Sequence, residues 1–197
     1  MKVIVIGASG TVGTAIQKAL PSDWEMIKAS RSGDVSVDLN SPSSIAAMYS
    51  ETGPVDGVIC VAGGAKFGPL NSISEDDWEA GFRNKLMGQI NLIRLGQGYI
   101  KPGGSVTLTS GMLSTHPNPK SVALTTFNIA VEGFVSAAAL NLENGQRINA
   151  VRTPMVRETA QKMGWGDGGV PASEVAQLYL LSLLENKNGH VFEFQRD

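Results

Sequence analysis

Short apolar runs alternate with longer mixed segments along the whole chain of 197 residues. The apolar runs are continuous, as in Gly-Val-Ile-Cys-Val at 57–61, which is typical of strands buried on both faces of a parallel sheet. The predicted strands are 3–6, 24–29, 36–39, 57–61, 105–109, 147–151 and 190–194, and the predicted helices are 12–20, 42–49, 75–99, 122–143 and 172–185. This alternation predicts one α/β domain over residues 1–197, a doubly wound parallel sheet of about seven strands with helices on both faces.

One long stretch, 152–170, carries no clear periodicity. It contains several glycines together with Met155, Met163 and Trp165. A loop of this length within a compact domain is usually functional or mobile. We therefore expect it to act as an apolar lid that covers a substrate and excludes water.

The first predicted strand leads directly into glycines at positions 7, 10 and 13 and then into a helix. A turn without side chains lets backbone N–H groups approach a phosphate, and the helix N-terminus adds its partial positive charge. This context predicts a dinucleotide-binding turn. The residues expected to hold the cofactor there are Gly7, Ser9, Gly10, Thr11, Val12 and Gly13.

A second nucleotide signal follows the second predicted strand, where the sequence reads Ser30-Arg31-Ser32. An acidic residue at this point normally accepts hydrogen bonds from the ribose diol of NAD. A guanidinium flanked by hydroxyls suits a phosphate instead. The pattern favours NADP over NAD, and the alternative is a solvated surface arginine.

Composition narrows the remaining classes of function. The 16 basic and 18 acidic side chains give a net charge of −2, so no global field favours nucleic acid or an anionic membrane. Cys60 is the only cysteine and lies in an apolar run, which predicts a buried residue and no internal disulfide. The chain has two histidines in addition to this cysteine, and these are too few ligands for a structural zinc site. We therefore expect no metal. No signal peptide and no stretch near the roughly 20 apolar residues of a membrane span is evident, so we expect a cytoplasmic protein.

Several further segments occur in an order that resembles the short-chain dehydrogenase/reductase family, over nearly the whole chain. They are Ala62-Gly63-Gly64, Thr107-Leu108-Thr109-Ser110-Gly111, the helix-like 130–143, and Arg147-Ile148-Asn149-Ala150-Val151-Arg152-Thr153-Pro154. The resemblance implies a nicotinamide cofactor, a small carbonyl or alcohol substrate, and a catalytic role for Ser110. It also implies cofactor contacts at Asp38, Ala62, Gly63, Gly64 and Pro154. The glycine spacing of the first turn differs from that of mainstream members.

The chain departs from this family at the central helix. Mainstream members carry Tyr-x-x-x-Lys there, in which the phenol transfers a proton and the lysine lowers its pKa and holds the ribose. The aligned positions hold Leu124 and Asn128, and no tyrosine lies between Tyr99 and Tyr179. Leucine cannot exchange a proton, so the usual acid/base chemistry cannot operate. Asn128 is expected to bind the ribose as an uncharged substitute.

The proton source is therefore open at this point. Counting back from Gly88 to the position where the family usually has an asparagine gives Lys85, and a shift of one residue gives Asn84. A lysine in the cleft would have its pKa lowered by desolvation and would suit proton transfer. The alternative is a surface lysine, and His116 and Thr125 are other candidate donors.

Two classes of function remain. The first is an NADP(H)-dependent oxidoreductase in which Ser110 binds the substrate carbonyl and stabilises its charge, while Lys85 or water supplies the proton. The second is a non-catalytic NADP(H)-binding or redox-sensing module. By analogy with the family, the helices at 75–99 and 122–143 are expected to pair across a two-fold axis, giving a homodimer or homotetramer.

Overall fold

The computed structural model describes residues 1–194, and a seven-stranded parallel sheet lies at its centre. The strand order is β3-β2-β1-β4-β5-β6-β7. The strands are β1 (Lys2–Ile6), β2 (Glu25–Ser30), β3 (Val35–Ser36), β4 (Val55–Cys60), β5 (Ile100–Gly111), β6 (Arg147–Thr153) and β7 (Val191–Phe192). Every neighbouring pair is parallel, which confirms the predicted doubly wound α/β fold.

Helices cover both faces of this sheet. They are α1 (Thr11–Ala19), α2 (Pro42–Thr52), α3 (Glu75–Gly81), α4 (Gly88–Gly96), α5 (Val122–Ala138), α6 (Arg157–Lys162) and α7 (Ala172–Leu184). Helices α1 and α7 pack together on one face, and α2, α4 and α5 cover the other. Each face buries its own apolar cluster, so the sheet residues are enclosed from both sides.

The strand order reverses next to β1. The chain runs outward from β1 to β2 and β3, and then returns so that β4 pairs on the other side of β1. In such sheets the connections leave opposite faces at this point, which opens a crevice at the carboxyl ends of the strands. The segments that follow β1, β4 and β5 meet there, and these segments contain most of the predicted site residues.

Several element bounds differ from the predictions, and three of these differences bear on the site. The third strand is Val35–Ser36 rather than 36–39, and the chain turns at Leu39, although Val37 and Leu39 are both buried. The predicted helix 75–99 is interrupted by a π-helical turn at Phe82–Met87. The stretch at 152–170 is not wholly irregular, because it contains α6, a helix too short to show a helical period in the sequence.

The expectation that no stretch of the chain approaches the length and apolar character of a membrane span is wrong for helix α5 and its continuation, Val122–Asn141. By length and composition alone this segment would cross a bilayer, and it is the one such segment found within residues 1–194. Its Phe127, Val131 and Val135 side chains are buried, the latter two in the core against the sheet. A core helix of an α/β fold meets the same criteria of length and composition, so this feature is weak evidence for a membrane.

Candidate functional site

The glycine turn after β1 is built so tightly that side chains would not fit. Gly7 has a φ of 86°, in the region that glycine adopts freely. A Cβ at Gly13 would lie 2.2 Å from the carbonyl oxygen of Gly7, so α1 can close against the turn only with glycine there. No side chain caps the N-terminus of α1 at Gly10. The first N–H groups of the helix are therefore available to bind an anion.

A cleft of about 400 Å³ opens above this turn, at the ends of β1, β2 and β4. It brings together most of the residues that the sequence analysis assigned to the cofactor. Those that line it are Gly7, Ser9, Gly10, Ser30, Arg31, Asp38, Ala62 and Gly63. Val12, Asn128 and Pro154 line the adjoining cavity described below, and Gly13 lies buried under the turn. Ser32 lies outside the lining and donates its N–H to Ser30 Oγ at 3.2 Å.

A chain of hydrogen bonds braces the far wall of this cleft. Asp38 Oδ1 accepts from the backbone N and from Nδ2 of Asn40, each at 2.9 Å. Asn40 Oδ1 accepts from Asn84 Nδ2 at 3.3 Å, and Asn84 Oδ1 accepts from the Gly64 N–H at 3.0 Å. Asn84 therefore faces the nucleotide side of the crevice, and the adjacent Lys85 is free to face elsewhere.

A second cavity of about 460 Å³ adjoins the cleft at the carboxyl end of β5. Most of its wall is apolar, contributed by Ala65, Phe67, Met112, Leu113, Leu124, Met155, Met163 and Trp165. The rings of Phe67 and Trp165 lie 6.1 Å apart at its mouth. The segment predicted as a lid thus contributes Met163 and Trp165 to this wall.

Among residues 1–194, Lys85 is the one charged residue that lines this cavity. Its side chain is 4% exposed, which contradicts the alternative of a surface lysine. Its Nζ donates to the carbonyl oxygen of Thr109 at 2.9 Å, and Gln89 Nε2 donates to the same oxygen at 3.0 Å. Burial lowers the pKa of Lys85 to about 8. The ammonium therefore ionises in the range where proton transfer is effective.

Asn128, in the position of the family's lysine, has one unsatisfied polar atom. Its Nδ2 lies 3.5 Å from the carbonyl oxygen of Gly111, whereas its Oδ1 is buried without a hydrogen-bond partner in residues 1–194. A buried acceptor left unpaired costs about 1–3 kcal/mol. A ribose hydroxyl is a donor of the kind that this oxygen lacks. With the glycine turn, this acceptor makes the residues fit a dinucleotide.

Ser110 is placed differently from the prediction. Its Oγ donates to Glu132 Oε1, a residue of α5 that sequence reasoning did not single out. Glu132 also accepts from Ser114 Oγ at 2.8 Å and from Arg152 Nε and Nη2 at 3.0 and 2.8 Å. The hydroxyl proton is thus engaged, so Ser110 offers a substrate an acceptor and not the expected carbonyl-binding donor.

The charge on Glu132 is well supported. Burial alone would raise its pKa, but the hydrogen bonds from Arg152, Ser110 and Ser114 outweigh burial and hold it below its ordinary value. Arg152 also pairs with Glu193 at 2.5 Å. Glu132 lies four residues after Asn128, on the same face of α5, which is the one sequence signal that points to it.

The other candidate donors do not reach the cavity. His116 pairs with Thr115 Oγ1 at 2.9 Å on the surface, and Thr125 Oγ1 donates to the carbonyl of Leu113 at 2.9 Å. Within residues 1–194, neither His116 nor Thr125 lines the apolar cavity. Tyr179 does reach the lining from α7, bonded to Thr109 Oγ1 at 2.7 Å, but burial raises its pKa and makes it a poor acid.

Comparisons with known proteins agree with this architecture. Residues 4–180 match a family model described as enoyl-(acyl carrier protein) reductase. The protein lin1944 from Listeria innocua is 35% identical, with 99% of this chain and 100% of that chain covered and a TM-score of 0.94. A small-chain dehydrogenase in complex with NADPH is 24% identical, with 98% and 96% covered and a TM-score of 0.87.

A more distant similarity is to the aldohexose dehydrogenase of Thermoplasma acidophilum, at 20% identity, with 98% and 91% covered and a TM-score of 0.84. No curated protein matches the chain. The family model spans most of the sequence, and lin1944 matches over its full length. The chain therefore belongs to the short-chain dehydrogenase/reductase family.

Proposed function

We propose that the protein is an NADP(H)-dependent oxidoreductase that interconverts a small carbonyl compound and its alcohol, with Lys85 as the proton donor. The observation that carries this proposal is the buried ammonium of Lys85 in the wall of an apolar cavity next to the nucleotide cleft. Leu124 occupies the place of the family's tyrosine in the same cavity, so a different group must supply the proton.

Two features favour NADP over NAD as the cofactor. Arg31 and Ser30 line the cleft at the end of β2, where the adenosine ribose of a dinucleotide lies in this fold. A guanidinium attracts a 2′-phosphate, whereas a carboxylate at this point would repel it. The printed description of one structurally similar dehydrogenase as an NADPH complex is consistent with this choice. The ribose next to the nicotinamide would bind Asn128 Oδ1.

When bound, NADPH supplies the hydride that adds to the carbonyl carbon. Lys85 then transfers a proton from Nζ to the carbonyl oxygen, which completes the alcohol, and solvent returns a proton to the amine. With a pKa of about 8, most Lys85 side chains carry this proton at neutral pH. Thr109 holds the ammonium through its carbonyl, and Ser110 Oγ accepts from the hydroxyl of the alcohol. The apolar lid keeps water from the reacting atoms.

Turnover with a panel of aldehydes, ketones and quinones tests this proposal through loss of NADPH absorbance. The wild type should reduce at least one apolar carbonyl compound. Lys85→Met should lose this activity and still bind NADPH, whereas Lys18→Met, an exposed lysine on α1, should behave as wild type. Activity that survives Lys85→Met would remove the lysine from the mechanism.

The alternative is an NADP(H)-binding or redox-sensing module without turnover. Two observations favour it: Leu124 replaces the family's tyrosine, and the proton of Ser110 is engaged by Glu132. Under this alternative the wild type binds NADPH tightly and reduces none of the compounds. The same panel therefore separates the two functions.

We also propose that the protein works in the cytoplasm as a homodimer. The outer faces of the helices expected at the interface carry apolar side chains, with Phe82 in the π-helical turn 47% exposed and Ile129 of α5 52% exposed. Pairing these faces across a two-fold axis would bury them. Light scattering at micromolar concentration tests this assembly. A dimer supports it, a tetramer extends it through a second face, and a monomer excludes it.

A further inference from the structure

The carboxylate of Glu132 controls which way the hydroxyl group of Ser110 can form hydrogen bonds. Ser110 lines the apolar cavity and is 1% exposed, and its Oγ donates to Glu132 Oε1. The ion pair between Glu132 and Arg152, at 2.8 Å, stabilises the charged form of the carboxylate. An ionised carboxylate has no proton to give and can only accept hydrogen bonds. The hydroxyl proton of Ser110 is therefore committed to Glu132.

The lone pairs of Ser110 Oγ are left for another group. A hydroxyl has one donor and two acceptor lone pairs. Within residues 1–194, the one hydrogen bond of this hydroxyl is the one that it donates to Glu132. A substrate with an O–H group would supply the missing donor in a cavity whose wall is largely apolar. A simple carbonyl compound would instead bring one acceptor against another.

Lys85 provides a hydrogen-bond donor beside this acceptor. Its Nζ donates to the carbonyl oxygen of Thr109 at 2.9 Å, and that carbonyl belongs to the peptide unit that joins Thr109 to Ser110. The ammonium and the Ser110 hydroxyl are thus anchored to the same peptide unit. A small molecule could satisfy both at once if it offered a carbonyl oxygen to Lys85 and a hydroxyl on the next carbon to Ser110.

We propose that Glu132, by holding the proton of Ser110, makes the cavity selective for carbonyl compounds with a hydroxyl on the adjacent carbon. This inference rests on the proposed oxidoreductase function and names the class of its substrate, the α-hydroxy ketones and aldehydes. Glu132 is a positioning residue, since it acts on the substrate only through Ser110. Reduction gives a vicinal diol, and the second lone pair of Ser110 Oγ accepts from the newly formed hydroxyl.

Reduction of two matched ketones by NADPH tests this selectivity. The ketones are α-hydroxyacetophenone and α-methoxyacetophenone, which share a phenyl ketone and an electron-withdrawing oxygen, but only the first carries an O–H donor. The wild type should reduce the hydroxy ketone with a kcat/KM about tenfold higher or more, because the methoxy compound leaves the buried Ser110 oxygen unpaired. The exposed Glu143→Gln is the matched control and should keep this ratio.

Three variants separate this role from a structural one. In Glu132→Gln the amide oxygen pairs with Arg152, which can only donate, so the amide N–H turns toward Ser110 and frees its proton for the cavity. The ratio of the two kcat/KM values should then fall to about threefold or less. Ser110→Ala removes the acceptor, so the two ketones should react alike. Ser114→Ala removes a different hydrogen bond of Glu132 and should keep the ratio. A merely structural defect would lower both activities by the same factor.

The outcomes distinguish this inference from the proposed function. Equal kcat/KM for the two ketones in the wild type would overturn the selectivity while the proposed function stands. A preference that survives in Glu132→Gln or Ser110→Ala would overturn it as well, and so would reduction of other carbonyl compounds but of neither ketone. A wild type that reduces no compound of the broader panel would refute the proposed function itself and this inference with it.

Discussion

Lys85 Nζ lies 2.9 Å from the carbonyl oxygen of Thr109, the residue that precedes Ser110 at the end of β5. This contact fixes the ammonium beside the apolar cavity without neutralising it, because a carbonyl carries no net charge. Burial thus remains the main influence on Lys85 and lowers its pKa to about 8. A proton donor that works near neutral pH requires a pKa in this range.

The rate of carbonyl reduction should therefore depend on pH through Lys85. We expect kcat/KM to be level below about pH 8 and to fall above it, as the proton donor is lost. Lys85→Met should lower kcat by about 100-fold, the usual scale of general-acid catalysis. Lys85→Arg should move the fall to higher pH. A wild-type profile that is flat through pH 10 would contradict the assignment.

Glu132 should stabilise the fold in a pH-dependent way. Its pKa is below the ordinary value in the folded protein, so its contribution is present above the pKa of the unfolded chain and is lost as pH falls through the folded value. We expect Glu132→Gln to lower Tm at pH 7 by several degrees, and we expect this difference to shrink as pH falls through the folded pKa of Glu132. Thermal melts across this range check it, with the exposed Glu143→Gln as control. A constant difference at all pH values would point to lost packing instead.

Arg31 should determine the choice between the two cofactors. Arg31→Ala removes the group proposed to meet the 2′-phosphate, so NADPH affinity should fall by about tenfold or more while NADH affinity is unchanged. Titration of both cofactors by calorimetry measures this directly. Arg94→Ala, an exposed arginine on α4, serves as control. An unchanged preference for NADPH in Arg31→Ala would show that Arg31 is only a solvated side chain.

Asn128 should affect binding more than folding. Its Oδ1 has no hydrogen-bond partner within residues 1–194, so Asn128→Ala removes an unfavourable buried group along with a weak hydrogen bond. We expect the cofactor-free Tm to stay level or rise, and NADPH affinity to fall about fivefold.

Asn149→Ala is the matched control for this variant, because the Asn149 amide donates to Lys187 O at 2.8 Å and accepts from the His190 N–H at 3.0 Å. It should lower Tm clearly. A similar loss of Tm in both variants would mean that Asn128 is structural.

The fold and the nucleotide cleft were predictable because their signals are local. The hydrophobic periodicity of strands and helices can be recognised within short windows of sequence. The turn from Gly7 to Gly13 requires glycine because of contacts between residues that are neighbours in the sequence. The environment of Ser110 was not predictable, since it depends on Glu132 and Arg152, which reach it from different elements 22 and 42 positions away. Burial decides whether Lys85 is a surface or a cleft residue, and burial is a property of the assembled structure.

The ambiguity between Asn84 and Lys85 has a structural origin. Adjacent residues of an α-helix point about 100° apart, so only one of them would normally face a given crevice. Here both lie in the π-helical turn, where Asn84 braces Gly64 and Lys85 reaches Thr109. Counting from Gly88 with a regular helical period could not anticipate that both positions would be used.

The π-helical turn also bears on how such a site could arise. A turn of this kind holds one residue more than regular helix would, and it is common at functional sites. Deleting a single residue from Phe82–Met87 would restore the regular period and rotate the preceding side chains by about 100°. Such a deletion would break either the Asn84–Gly64 hydrogen bond or the contact of Lys85, the proposed proton donor, with Thr109. The positions of both side chains in the site thus depend on a single extra residue of helical backbone.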